Sequence, residues 1–461
     1  MSGPLTGAAA APPATERPGG PAALLPTALL PTATLVLALL EAAAAIADPP
    51  PLEHVRAALA GAVLVLALVL ARPLWRVLAG VFVVAGVALV AANPGDASAY
   101  EVYRSGMLTV TPVVALLVVV TRLNAVVRAG RYNVALAAYL AHGGRRGWSD
   151  RLPVLLAYLL SPVLLAGALA QSFGPFQTGR VEEDRSLLAV CVRAISLGLV
   201  WSPMAAPTAF ALTLLDVPVH RYVAIALPAS VIGFALLLLT SRGTASSLQV
   251  DPAERNPAKV RRLVLFLAAL PVVVAALAVV KGEVSLHVVL LAMSAVTGAW
   301  ILVDRRTAPG PAAAQGKKGG LAAEGVALYL SLGIFVGGVR LLTAEGFGWA
   351  TDPAVVIAVA FFGAAAGFLL GVHPVAVIAV LSPTVLALDN AYLAVGAFAL
   401  VAGAQAVNVS TPFSPLSVVG SQMAETTPWR VSTPVHWRFS LQQLALYGLV
   451  CAAALAVASS S

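Results

Sequence analysis

Residues 408–417 read NVSTPFSPLS and interrupt an otherwise apolar run that extends over 391–424. Seven of these ten residues are polar or proline. Because proline removes a backbone donor and clashes with the preceding helical turn, the stretch predicts a break that divides one membrane helix into two halves. Another long apolar run, 187–215, carries Ser202-Pro203 near its centre and predicts a second broken helix.

The composition indicates a protein that lies in a lipid bilayer. Of the 461 residues, 60% are hydrophobic and 10% are charged, whereas soluble domains carry about 25% charged residues. These values exclude a soluble enzyme and a nucleic-acid partner. The sequence contains no paired carboxylates at membrane depth, no HExxH motif and no Walker loop, so we expect a protein that is not an enzyme and holds no cofactor.

A membrane helix needs about 20 mostly apolar residues, and eleven runs can serve as such helices. They cover 32–48, 56–71, 73–93, 107–128, 187–215, 222–240, 260–280, 284–303, 321–343, 391–424 and 439–458. The predicted fold class is therefore an all-α polytopic membrane protein with about eleven transmembrane helices.

The charges between these runs predict the orientation of the chain. Lys and Arg outnumber Asp and Glu in the gaps 122–151, 241–262 and 304–320, which we therefore expect on the cytoplasmic side. The gaps expected outside, which are net acidic, are 48–55, 94–103 and 344–352. This pattern predicts a cytoplasmic N-terminus, with 1–31 as a flexible tail, and an external C-terminus in the inner (plasma) membrane.

The chain resembles itself at an offset of 212 residues. The landmarks that coincide are Arg128 with Arg340, Pro162-Val163 with Pro374-Val375, and Trp201-Ser202-Pro203-Met204 with Phe413-Ser414-Pro415-Leu416. The gap 129–151 in copy one is basic and its counterpart 341–363 is acidic, so the two copies are predicted to be inverted, as in many secondary transporters. The predicted organisation is scaffold 32–106, repeat one 107–240, connecting scaffold 241–320 and repeat two 321–461.

The predicted orientation leaves room for only one net crossing between residues 152 and 215. We therefore predict that 152–180 is a re-entrant hairpin from the cytoplasmic side, and that 355–389 is its counterpart from outside. Non-helical backbone at membrane depth is tolerated only inside protein or facing a wet cavity. The tips are expected at Ser161-Pro162 and at Gly371, His373 and Pro374.

Two hairpin tips and two helix breaks at mid-membrane predict one binding site. Helix N-termini attract oxyanions, and unwound carbonyls with Ser, Thr and Asn oxygens suit Na⁺. The candidate substrate-binding residues are Ser161, Arg193, Ser202, Thr208, His373, Asn408, Ser410, Thr411, Ser414 and Ser417. The candidate Na⁺ ligands are Ser202, Asn408, Thr411 and Ser414.

Two of these candidates have more than one interpretation. Arg193 lies within an apolar run, where an arginine is costly unless it is paired or faces water, but its side chain can instead extend to the membrane surface. His373 can carry a proton, donate a hydrogen bond to a substrate, or serve as a structural histidine.

At these breaks and hairpins the chain resembles the ion transporter superfamily, which includes the divalent anion/sodium symporters. The resemblance covers about residues 50–461. It implies eleven spans, two opposed re-entrant hairpins, two broken helices and a homodimer.

The predicted function is secondary active transport of a small organic anion, such as a carboxylate, coupled to Na⁺ or H⁺ by movement of the hairpins and broken helices. Two further possibilities within the superfamily are a cation/proton antiporter and a metalloid-oxyanion exporter. The chain could also be a non-transporting membrane subunit of a larger permease.

Overall fold

The structure is a computed structural model that describes ten segments of the chain. They are residues 21–47, 49–93, 98–143, 151–165, 167–176, 181–241, 252–282, 284–303, 320–343 and 352–460. Within these segments the regular secondary structure is entirely helical. The first ten helices are α1 (Pro21–Ala44), α2 (Pro50–Leu70), α3 (Pro73–Ala92), α4 (Ala99–Ala129), α5 (Tyr132–Gly143), α6 (Leu152–Leu164), α7 (Gly167–Phe173), α8 (Val181–Trp201), α9 (Ala206–Leu214) and α10 (Val219–Thr240).

The second half of the chain continues in the same way. Its helices are α11 (Pro257–Lys281), α12 (Leu286–Val303), α13 (Gly320–Thr343), α14 (Pro353–Leu369), α15 (Pro374–Leu386), α16 (Asn390–Val407), α17 (Pro415–Met423) and α18 (Thr433–Ser460). Within the described segments, ten candidate spans, with α8–α9 and α16–α17 counted as one each, are long and apolar enough to cross a membrane, and α1 adds the shorter apolar stretch Leu29–Ala44. The predicted all-α polytopic membrane protein is confirmed.

Several helices begin where the sequence offers a local start signal. Ser98 and Glu101 form a capping box at the start of α4: the Glu101 backbone N donates to Ser98 Oγ (3.2 Å) and the Ser98 backbone N donates to Glu101 Oε2 (2.9 Å). Helix α4 therefore begins at Ala99, eight residues before the run predicted from hydropathy. The acidic cluster Glu182–Asp184 occupies the first turn of α8, where negative charge favours the helix N-terminus.

Two regions outside the predicted spans contain helix. The basic gap 122–151 includes the end of α4 and the short helix α5. The Tyr132 ring, which opens α5, is buried and its hydroxyl accepts a hydrogen bond from Trp300 Nε1 (3.3 Å). Residues 21–31, predicted as part of the flexible tail, belong to α1, and the rest of that tail lies outside the described residues.

Among the prolines inside described helices, Pro112, Pro162 and Pro383 each follow a threonine or serine, and each of these helices continues. A proline at position i cannot donate to the carbonyl at i−4, and in each case the hydroxyl of the preceding residue donates to that carbonyl instead. The pairs are Thr111 Oγ1 to Leu108 O (3.4 Å), Ser161 Oγ to Tyr158 O (2.8 Å) and Ser382 Oγ to Ala379 O (3.2 Å). A Ser-Pro or Thr-Pro pair therefore does not by itself end a helix in this protein.

The helix contacts of the first half recur in the second. Helix α6 packs against α8 and α14 packs against α16, while α8 contacts α10 and α16 contacts α18. The halves also exchange contacts: α9 packs against α15, and α17 packs against α7. Helices α4 and α13, which occupy the same place in the two halves, pack against each other. Reciprocal contacts of this kind are the pattern of a two-fold arrangement.

Helices α2, α3 and α4 pack against α13, and glycines of α3 and α4 lie in close contact with it. A Cβ atom added at Gly106 would lie 2.1 Å from the Gly333 carbonyl oxygen, so the two backbones are in direct contact. Arg72, just before α3, forms a two-point ion pair with Glu324 of α13. These contacts join α2, α3 and α4 to the second half of the chain.

Candidate functional site

The first helix break lies between Trp201, the last residue of α8, and Ala206, the first residue of α9. Ser202 in this break is fully buried. Its Oγ donates to the Pro162 carbonyl oxygen (2.6 Å) and accepts a hydrogen bond from the Met204 backbone N (3.2 Å). The predicted break at Ser202-Pro203 is confirmed, and the serine hydroxyl joins it to α6.

The first hairpin turns later than predicted. Helix α6 continues to Leu164, and the turn lies at Leu165, whose φ of +53° belongs to the left-handed region. The prediction of a tip at Ser161-Pro162 was wrong because the Ser161 hydroxyl bonds the Tyr158 carbonyl that Pro162 leaves free. Ser161 instead faces Gly198 of α8, where an added Cβ would lie 1.9 Å from Ser161 Oγ.

The tip of the first hairpin contacts α4 through Asn124. Asn124 Nδ2 donates to the Leu164 carbonyl oxygen (3.1 Å), and an added Cβ at Gly167 would lie 2.6 Å from Asn124 Oδ1. Asn124 Oδ1 is buried and has no hydrogen-bond partner within the described segments. Asn124 was missed as a site residue, although the sequence signal exists: it is the only amide side chain in the apolar run 107–128.

The second helix break is built from a chain of polar side chains. Helix α16 ends at Val407, a short 3₁₀ turn follows over Asn408–Ser410, and α17 begins at Pro415. Asn408 links Gln405 to Ser414 in a buried polar chain. Asn408 Nδ2 donates to Gln405 Oε1 (2.7 Å) and Ser414 Oγ donates to Asn408 Oδ1 (2.5 Å). Ser414 also caps α17, since its Oγ accepts from the Leu416 backbone N (3.1 Å).

The other predicted residues of this stretch hold the break in place. Ser417 Oγ donates to the Thr411 carbonyl oxygen (2.8 Å), and Thr411 Oγ1 accepts from the Phe413 backbone N (3.3 Å). Ser410 faces away from α17, because its Oγ lies 2.7 Å from Ser440 Oγ of α18.

Thr208, the remaining candidate of the first half, lies in α9, and its Oγ1 is buried without a hydrogen-bond partner in the described part of the chain.

The tip of the second hairpin lies where the sequence predicts it. Gly371 has a φ of +89°, and an added Cβ there would lie 2.9 Å from the Phe413 ring in the second break. His373 precedes α15 and caps it: His373 Nδ1 accepts from the Val375 backbone N (3.3 Å). The His373 ring also packs edge-on against Tyr329 of α13, with 5.8 Å between ring centroids. In this arrangement His373 is a helix cap.

The two halves thus share the same arrangement of hairpin, broken helix and first long helix. The end of each hairpin lies next to the break of its own half and next to the first long helix of that half, α4 or α13. The broken helices also touch each other just before their breaks, where Ser196 Oγ of α8 donates to the Gln405 carbonyl oxygen of α16 (3.2 Å).

Arg193 lies apart from the breaks. Its Nε donates to His436 Nδ1 (3.0 Å) and its Nη2 donates to the Val435 carbonyl oxygen (2.7 Å), both on α18. The guanidinium also lies over the Phe439 ring, 5.7 Å from its centroid. None of the hydrogen bonds in the described residues connects Arg193 with either break.

The four candidate Na⁺ ligands are divided between the two breaks. One polar segment, the second break, contains Asn408, Thr411 and Ser414. Ser202 belongs to the first break, where its hydroxyl donates to the Pro162 carbonyl oxygen of α6. Within the described residues, no cluster of three or more His, Cys, Asp or Glu side chains suits a metal ion.

Comparisons with known proteins relate the fold to that of a transporter. No protein-family model matches the sequence, and no curated protein matches it significantly. The structure is similar to the crystal structure of the YdaH transporter from Alcanivorax borkumensis, with a TM-score of 0.54 and 16% sequence identity. The similarity covers 82% of this chain and 96% of that one. The chain is therefore a multi-pass membrane protein that shares the fold of a known transporter.

Proposed function

We propose that this protein is a secondary active transporter that moves a small organic anion, such as a carboxylate, with Na⁺ or H⁺ as the coupling ion. The observation that carries the proposal is the duplicated arrangement of a hairpin end beside a broken helix. Inverted pairs of such units, moving relative to a scaffold, produce alternating access in many secondary transporters. The fold similarity to a transporter supports the same conclusion.

The breaks supply groups suited to an anion and a cation. Helices α9 and α17 begin at Ala206 and Pro415, next to the breaks, and helix N-termini carry backbone N–H groups and a positive dipole end that attract carboxylates. Asn408 Oδ1, Ser414 Oγ and Thr411 Oγ1 are oxygens of the kind that bind Na⁺ when the backbone is unwound. In this proposal the substrate and the ion share the second break.

The orientation and assembly form part of the proposal. The hairpins α6–α7 and α14–α15 are re-entrant from opposite sides, the two halves are inverted, and the protein is a homodimer in the inner (plasma) membrane. The charge pattern of the loops supports the orientation. The reciprocal contacts between the two halves support a two-fold relation between them.

Transport by the purified protein in liposomes tests the proposal. Radiolabelled acetate, succinate and benzoate serve as probes, each measured with an inward Na⁺ gradient, an inward H⁺ gradient or no gradient. We expect at least one probe to accumulate against its own concentration gradient and to leak out when an ionophore collapses the driving gradient. No flux of any probe under any gradient would contradict the proposal and favour a non-transporting subunit. Exchange of Na⁺ for H⁺ without anion flux would favour an antiporter, and efflux of arsenite alone would favour a metalloid-oxyanion exporter.

A further inference from the structure

A cavity of about 610 Å³ lies between α8, α17 and α18, outside the breaks described above. This volume is within the range of about 300–1,000 Å³ that small-molecule sites occupy. The residues of its wall that matter here are Arg185, Ala189, Arg193, Gly420, Arg430 and His436. The cavity lies near the beginnings of α8 and α18, which the proposed orientation places on the cytoplasmic side.

Arg193 is the unusual residue of this wall. It lies twelve residues into a membrane-spanning helix and is half-buried, where an arginine is costly unless it is paired or faces a polar cavity. Its hydrogen bonds in the described residues go to His436 Nδ1 and the Val435 carbonyl oxygen, which are both uncharged acceptors. Two of the five N–H groups of the guanidinium are thereby used. The remaining donors belong to a side chain that lines the cavity.

The charge of the wall favours an anion. Of the residues that the structure describes, three arginines line the cavity together with a single acidic residue, Glu182. Glu182 lies 3.4 Å from Arg185, and among the described residues no carboxylate pairs with Arg193 or Arg430. A concave surface lined by one sign of charge concentrates ions of the opposite sign. Arg193, fixed by two hydrogen bonds to α18, also presents a preorganised fork that matches a carboxylate.

The cavity also adjoins the second break. Leu416 and Gly420 of α17 form part of its wall, and Leu416 follows the helix-capping Ser414 by two residues. We propose that this cavity is a vestibule that binds a small carboxylate anion through Arg193. The binding of an anion in the vestibule is inferred from the residues named above. Only the further step, in which the anion passes from the vestibule to the second break, rests on the proposed function.

Labelling of a single cysteine in the vestibule tests the charge of the site. Ala189 lines the cavity one helical turn before Arg193 and is partly exposed, whereas the native Cys191 and Cys451 are buried. In Ala189→Cys, an anionic methanethiosulfonate should react about tenfold faster than a cationic one of similar size. Adding Arg193→Gln should reduce this preference, and adding Arg193→Lys, which keeps the charge, should retain it.

Protection from a neutral thiol reagent tests binding. Succinate should slow the labelling of Ala189→Cys in a saturable way, and the protection should be lost in the Arg193→Gln background while the protein keeps its melting temperature. Equal rates with and without succinate, or equal protection in the Arg193→Gln background, would overturn the vestibule. Protection together with no flux of any probe in liposomes would leave the vestibule intact and reject the proposed function. Uptake of succinate without protection would reject the vestibule and leave the proposed function intact.

Discussion

Ser414→Ala lowers the initial rate of anion uptake in proteoliposomes by about tenfold, which corresponds to roughly 1.4 kcal/mol. The Ser414 hydroxyl caps α17 and donates to Asn408 Oδ1, so the alanine variant loses both hydrogen bonds at once. Removing a helix cap costs about 1 kcal/mol, and leaving a buried amide oxygen without its donor costs about 1–3 kcal/mol. The second break then loses the geometry that places its oxygens and the α17 N-terminus.

Ser421→Ala is the matched control for this prediction. Ser421 lies in the same helix and is also buried, but its Oγ donates to the Val418 carbonyl oxygen one turn back and touches neither break. We expect normal uptake and an unchanged melting temperature from Ser421→Ala, whereas Ser414→Ala stays folded and melts a few degrees lower. Normal uptake by Ser414→Ala, and equally by Ser202→Ala in the other half, would remove the breaks from the binding site.

Gly403→Val prevents the accumulation of folded protein. Gly403 of α16 faces α14 so closely that an added Cβ would lie 2.1 Å from the Phe361 carbonyl oxygen. Since the obstructing atom belongs to a helix backbone, the two helices must separate. Overpacking of a tight core costs about 1–3 kcal/mol or more, and here the separation also disturbs the support of the second break. The measurement is the fraction of detergent-solubilised protein that elutes as a monodisperse peak.

Gly298→Val is the matched control, because it replaces a helical glycine by valine at a position without close neighbours. Gly298 lies within α12, and its added Cβ would meet no atom within 4 Å. We expect Gly298→Val to elute like the parent protein. If Gly403→Val eluted in the same way and kept its melting temperature, the close packing of α14 on α16 would be incorrect.

The breaks and the second hairpin tip were predictable because their signals are local. A proline that follows a serine or threonine at 411–415, in a dense polar stretch, leaves the helix few ways to continue. Ser161-Pro162 looked similar, but the Ser161 hydroxyl satisfies the carbonyl that the proline leaves and the helix continues, whereas the Ser202 hydroxyl bonds the Pro162 carbonyl of α6 instead. The offset of 212 residues does not hold at the hairpin tips, because Leu165 lies nearer to Ser202 along the chain than Gly371 lies to Ser414.

Other parts of the site depend on contacts between distant residues. Arg193 and His436 are separated by 243 positions in the chain, and no pattern in either segment indicates that they meet. Asn124 is a single polar residue in an apolar helix, and only the fold shows that it contacts the end of a hairpin. The reciprocal packing of α9 with α15 and of α17 with α7 likewise requires the three-dimensional structure.

The inverted relation of the two halves is tested most directly by the sidedness of two loops. Val250 lies between α10 and α11, and Gly348 lies between α13 and α14; both positions are outside the described residues. Single cysteines introduced at these positions are labelled with a membrane-impermeant thiol reagent in sealed vesicles of known orientation. We expect Val250→Cys to react only from the cytoplasmic side and Gly348→Cys only from the external side. Labelling of both cysteines from the same side would contradict the inverted arrangement.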